Sequence, residues 1–121
     1  MLSLALQQRL STYFSLGHKV TLSVPSESNG NPLPQAKHAA IVRHVRTELA
    51  RICGGGTVTQ GLGDWVNGAG ILISEPVTLC SSHCGDLNPI IEDILDLATW
   101  VKTEAKQESV SLEIDETRYF I

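Results

Sequence analysis

Gln35-Ala-Lys-His-Ala-Ala-Ile41-Val-Arg-His-Val45-Arg-Thr-Glu-Leu49-Ala-Arg-Ile-Cys53-Gly-Gly-Gly56-Thr57-Val-Thr-Gln-Gly-Leu-Gly-Asp-Trp65-Val66 spells a helix, a stop and a strand. Ile41, Val42, Val45, Leu49 and Ile52 recur three and four apart, which stacks them on one stripe. Gly54 to Gly56 end the helix, since glycine takes the left-handed conformation a helix C-terminus needs. The strand Thr57 to Val66 then meets a second, Ile71 to Ser82, across Asn67-Gly68-Ala69-Gly70, and Asn-Gly between two apolar-rich runs signals a hairpin.

Outward from this centre the same grammar repeats. Upstream, Val20, Leu22 and Val24 alternate with Thr21 and Ser23 in a strand from Lys19 to Pro25. Downstream, Asn88 is placed to cap a helix with Pro89 in its first turn and Glu92 and Asp93 early, as the helix dipole favours. Its stripe reads Ile91, Ile94, Leu95, Ala98, Val101 and Ala105, with Trp100 on the flank. A strand from Ser109 to Ile114 follows, and a turn at Asp115-Glu116-Thr117 leads to a short partner, Tyr119-Phe120-Ile121. The order strand, helix, strand, strand, helix, strand predicts an α+β fold. Two helices with one apolar stripe each are satisfied on the same face of one antiparallel sheet, which is the ferredoxin-like βαββαβ sandwich. An α+β sheet with another strand order is the rival.

The 121 residues, 42% of them hydrophobic, fit a single domain over 18–121 behind an N-terminal segment, 1–17. In that segment Leu2, Leu6, Leu10 and Phe14 fall four apart, so a short helical extension carries one apolar strip. It docks either on the domain's own sheet or on a second subunit. Thr21, Ser23, Thr59, Thr78, Cys80 and Ser111 are expected on the sheet face away from the helices. The loop Ser26 to Pro34 reads as a mobile, turn-rich connection. No segment has the length or the basic, apolar and small-residue pattern of a span or secretory signal, and the expected location is the cytoplasm, without membrane attachment.

Charge separates along the chain. Residues 1–60 hold six bases and two acids, residues 61–121 three bases and eleven acids, and the total is −4. The first helix therefore offers a basic face and the second an acidic one, solvated or paired with a charged partner. A pI near 5.4 and the lack of interleaved aromatics argue against nucleic acid as ligand.

Chemistry is thinly marked. Cys80-Ser-Ser-His83-Cys84 lacks the second pair a zinc site needs, and no third member supports a cysteine nucleophile, so no metal, cofactor or catalytic residue is assigned. Gly61-Leu-Gly63-Asp64-Trp65 places two glycines in a strand, which allows a bulge or the close approach of a ligand, with Trp65 to stack and Asp64 to accept. The bulge is the simpler reading.

Val20-Thr-Leu-Ser-Val-Pro-Ser26, Gly55-Gly-Thr-Val-Thr-Gln-Gly-Leu-Gly-Asp-Trp65, Ser74-Glu-Pro-Val-Thr-Leu79 and Ser111-Leu-Glu-Ile-Asp-Glu-Thr-Arg-Tyr-Phe-Ile121 together resemble a family of small bacterial proteins without an assigned activity, associated with plasmids, phages and other accessory DNA. The resemblance covers residues 19–121 and implies no catalytic residue. Members carry Asn-Gly where this chain has Asp115-Glu116. The expectation that follows is a non-enzymatic homo-oligomer or adaptor, binding itself or another protein through Leu6, Leu10, Phe14, Tyr119, Phe120 and Ile121. The alternative is a protein that binds a small, nucleotide-type ligand, with Arg43 and Arg46 for phosphate and Gly61, Gly63, Asp64 and Trp65 around a base.

Overall fold

Val20, Leu22 and Val24 are the centre of the molecule. In the computed structural model, which describes residues 1–121, they sit on β1 (His18–Pro25) and are fully buried. The remaining elements are α1 (Leu4–Leu10), β2 (Glu27–Ser28), β3 (Asn31–Pro32), α2 (Gln35–Cys53), β4 (Thr57–Val66), β5 (Leu72–Cys84), α3 (Ile91–Glu104), β6 (Ser111–Ile114) and β7 (Thr117–Phe120). The main sheet has the order β4-β5-β1-β6-β7, with every neighbour antiparallel. Without β7 this is the strand order of the expected ferredoxin-like sandwich, with β1 between β5 and β6.

Both helices cover one sheet face. Ile41, Val45 and Leu49 of α2 and Ile94, Leu97, Ala98 and Val101 of α3 close on Val20, Leu22, Val24, Cys80 and Leu112. Leu22, 1% exposed, lies mid-sheet with β5 on one side and β6 on the other. Leu22→Ala is expected to cost about 2–5 kcal/mol, because the sheet cannot collapse into the cavity left behind. A urea midpoint unchanged from wild type would contradict this.

The charge separation acts inside the chain. Lys37 at the start of α2 pairs with Glu104 at the end of α3 at 3.1 Å, His44 stacks on Trp100 with ring centroids 4.2 Å apart, and Arg51 feels Asp93. The two helices thus meet through one ion pair at the α2 start, while Arg43 and Arg46 stay unpaired and solvated, one of the readings the sequence offered.

Several local expectations are corrected. Thr78 and Cys80 lie on the helix-covered face, 2% and 1% exposed, and Val77 and Leu79 take the open face. Proline at 76 and a run of mixed polarity hid the phase of β5, and a one-residue phase error moves every side chain to the other face. Asn88 does not cap α3. Asp86 accepts its N–H at 3.1 Å, a turn runs from Leu87, and Ile90 is the cap residue. Leu97 replaces Leu95 in the buried stripe. Residues 26–34, expected as a mobile, turn-rich connection, hold a small hairpin in which Asn29 (φ 52°) and Gly30 (φ 78°) supply the paired positive angles of a two-residue turn. Ser28 and Gln107 tie it down through bonds to the Lys106 and Glu27 carbonyls.

At Asn67-Gly68 the hairpin forms by another route. The Asn67 side chain accepts from the N–H groups of Ala69 and Ile71, and Gly70 alone has positive φ. The C-terminal hairpin forms despite the absence of glycine, because Asp115 (φ 55°) is pinned by His18 Nδ1 at 2.8 Å and by the Lys19 N–H at 3.0 Å. Those bonds hold the Asp115 carboxyl below its ordinary range, His18 contributing most.

The N-terminal helix exists, capped by Ser3, and none of its residues is buried. Leu6, Leu10 and Phe14 are exposed. Removal of residues 1–16 is therefore expected to leave the domain folded, and an unfolded circular dichroism spectrum of the truncated chain would contradict that.

Candidate functional site

The sheet face away from the helices bears a trough of about 900 Å³. Its floor is built by the period-two alternation of β4 and β5, which aims Gly61, Gly63 and Trp65 to the same side as Glu75, Val77 and Leu79. The two glycines explain its depth. A Cβ at Gly61 would sit 3.3 Å from Leu79 Cδ1 and 3.5 Å from Val77 Cγ2, and one at Gly63 3.5 Å from Val77 Cγ1. Their missing side chains leave the Val77 and Leu79 side chains uncovered at this part of the floor.

Glu75 is the half-buried acid of that floor, and Lys19, Asp64, Glu113 and Arg118 also line the trough. Glu75 pairs with Gly63 across the strands, and its Oε2 is sealed from bulk solvent with no hydrogen-bond partner. Burial, and then the charge of Glu27, push the carboxyl above its ordinary range, with the Ser26 and Glu27 N–H groups opposing. Neither N–H makes a well-formed bond to Oε2. Glu75 lines the trough, but Oε2 has no accessible surface there, so a ligand can meet only the other carboxylate oxygen. The sequence reading passed over Glu75 because a lone glutamate in a strand carries no motif.

A second concavity of about 920 Å³ runs between α2 and β4 and is lined by Arg43, Arg46, Gln60 and Thr78. Neither arginine makes an ion pair. The residues expected to form one ligand site are thus divided. Gly61, Gly63 and Trp65 line the open-face trough with Asp64 at its rim, where Asp64 accepts a hydrogen bond from Ser74. Arg43 and Arg46 belong to the groove under α2. Tyr119 and Phe120 are exposed on β7, but Ile121 packs against the core and exchanges both backbone bonds with Val110, so it is an edge of the fold rather than a free contact residue. His83 is exposed, and Cys84 is buried against Cys53. No three His, Cys, Asp or Glu side chains converge as a metal set would require, and no helix is long and apolar enough to cross a membrane.

No protein-family model matches the sequence, and no curated protein matches it. Solved structures do match in fold. A phage SAM lyase in complex with S-methyl-5'-thioadenosine is similar at a TM-score of 0.68 and 19% identity, over 89% of this chain and 93% of that one. A phage SAM lyase in the apo state gives 0.67 and 17%, over 88% and 89%. A Bacillus cereus protein related to NIF3 gives 0.54 and 13%, over 85% of this chain but 26% of that one. These identities establish the shared fold. Two of the three are phage proteins, and no family model confirms the resemblance to the small bacterial family. The likeness overturns the expectation of a non-enzymatic adaptor: two chains that share this fold along nearly their whole length are phage SAM lyases, and the small-ligand alternative lies nearer to them.

Proposed function

We propose that this protein is a lyase acting on S-adenosylmethionine, encoded on phage or other accessory DNA, and that the open-face trough binds the substrate. The observation that carries the reading is the trough itself, a floor levelled by Gly61 and Gly63 with the half-buried Glu75 beside it, on a fold shared with the phage lyases. The adenine lies over Gly61, Gly63, Val77 and Leu79, with Trp65 at its edge. Glu75 accepts from the ribose hydroxyls, as carboxylates do in dinucleotide sites. A carboxylate on the sulfonium would instead hold the ground-state charge and slow the cleavage.

The reaction needs little from the side chains. The substrate's own carboxylate oxygen attacks Cγ, the Cγ–S bond breaks, and sulfur leaves with the electron pair as a neutral thioether. The products are S-methyl-5'-thioadenosine and homoserine lactone, and no proton or water is consumed. A positive and a negative charge annihilate, so any surface that displaces water from both on binding favours the step. Folding the substrate so that the carboxylate faces Cγ supplies the entropic part.

The working form in this reading is an assembly of identical chains. Leu62, Trp65, Val66, Ile71 and Leu72 at the tip of β4–β5, with Leu6, Leu10 and Phe14, are too exposed for a lone domain. Sedimentation at the monomer mass of 13.1 kDa at micromolar concentration would refute the assembly. The activity is tested by incubating purified protein with S-adenosylmethionine and following products by liquid chromatography and mass spectrometry. S-methyl-5'-thioadenosine and homoserine lactone, formed in equal amounts above the protein-free control, are the expected result. Product formation no faster than that control would overturn the proposal.

A further inference from the structure

Cys53 and Cys84 come from distant parts of the chain and end two different elements, α2 and β5. Their sulfurs are 2.8 Å apart, the Cys84 thiol donating to Cys53 Sγ. A movement of under an ångström separates that distance from the ~2.05 Å of a covalent S–S bond. We propose that Cys53 and Cys84 are a site of oxidative modification, joined into a reversible disulfide by a peroxide.

The surroundings suit the two thiols to different roles. Cys53 is half-buried and lines a cavity of about 390 Å³ with Gly54, Gly55, Gly56, Leu16 and His83, which gives a small oxidant a way in. Gly54, with φ 92°, and Gly55 have no atom within 4 Å of where a Cβ would stand, so the turn after α2 does not crowd this cavity. Cys84 is 1% exposed, and burial, followed by the Cys53 hydrogen bond, pushes its thiol up to about 12. Cys53 therefore meets the oxidant and Cys84 resolves it. The Cys53 thiolate attacks one peroxide oxygen and the O–O bond breaks, giving the sulfenic acid and, with one proton, water. Cys84 sulfur then attacks the sulfenic sulfur, the S–O bond breaks, and a second water leaves with the Cys84 proton. Two thiols are oxidised by two electrons and one hydrogen peroxide is reduced. Conversion of Cys53 also removes one of the groups that holds the Cys84 proton on. The third thiol, Cys80, is buried with no sulfur partner and serves as an internal reference.

The bond would tie the end of α2 to the end of β5, across the chain segment that carries β4. It is independent of the proposed activity, and its test uses the full-length wild-type chain. Protein is treated with hydrogen peroxide, denatured, alkylated with N-ethylmaleimide and mapped by peptide mass spectrometry. A Cys53–Cys84 linked peptide, lighter than the two reduced peptides by two hydrogen atoms and released by dithiothreitol, is expected, with Cys80 alkylated. Cys84→Ala should lose the linked peptide and leave Cys53 at the sulfinic stage. Alkylation of all three cysteines after peroxide treatment, a link involving Cys80, or a sulfinic Cys53 beside an alkylated Cys84 in the wild type would each overturn the proposal.

Discussion

Glu75→Gln will lose roughly 10- to 100-fold in kcat/KM for S-adenosylmethionine while melting at a higher temperature than wild type at neutral pH. The loss follows from replacing a charged acceptor by an amide, since a hydrogen bond to a charged group contributes about 1.5–3 kcal/mol. The gain has the opposite origin. Burial raises the Glu75 carboxyl above the ordinary value of 4.5, so the folded protein bears a penalty once that group is ionised. Stability from this group is full below the unfolded-state value and is lost as the pH rises through the folded-state one. Glutamine escapes the penalty. The melting gap between variant and wild type should therefore be open at pH 7 and close below about pH 4.5, where both side chains are neutral. A residue kept at a cost to stability and needed for turnover is the signature of a functional site. Equal turnover in the two proteins would remove Glu75 from the site, whatever the melting curves show.

Gly61→Val tests the shape of the trough rather than its charge. Gly61 has ordinary extended backbone angles and sits in a strand, where a β-branched residue is preferred and glycine costs about 0.5–1 kcal/mol. The contact a Cβ would make is with the flexible end of Leu79 at 3.3 Å, which can yield. The variant should thus fold at least as well as wild type. What it loses is the floor, because two methyl groups now stand where the ligand lies. Overfilling of this kind costs about 1–3 kcal/mol, so binding of S-methyl-5'-thioadenosine should weaken roughly 5- to 150-fold by isothermal titration. Wild-type affinity with an intact melting curve would place the ligand elsewhere, and the groove holding Arg43 and Arg46 would be the next to probe.

The fold was legible where pattern and stop signals agreed. For α2 the helical stripe runs into three glycines, and the structure begins and ends it at Gln35 and Cys53, with Gly54 left-handed. The layering followed from two one-sided helices needing a single sheet face, whereas the strand order had a rival until the pairing of β1 with β5 and β6 decided it. Turns were less readable, because Asn-Gly names two different devices: at 29–30 it supplies positive φ, and at 67–68 a side-chain acceptor. The phase of β5 was hidden because its two faces differ little in polarity, Thr78 and Ser82 inside against Val77 and Leu79 outside. The candidate site was half visible. Glycines in a strand and a tryptophan drew notice at 61–65, whereas Glu75 acquires meaning only from the strand pairing that sets it opposite Gly63.

The position of β1 has a consequence for how the chain is made. Its partners emerge long after it does: Thr21 bonds Ser81, 60 residues later, and His18 meets Asp115 after 97. At roughly 5–20 residues per second on a ribosome, the central strand waits seconds for its first neighbour and longer for its second. During that interval Val20, Leu22 and Val24 have no sheet to join, and the α2 stripe is the earliest apolar surface able to shelter them. Slow closure of such distant pairings is the rule for high-contact-order topologies. The polar residues interleaved in β1, Thr21 and Ser23, keep the waiting strand from presenting an unbroken apolar run to other nascent chains.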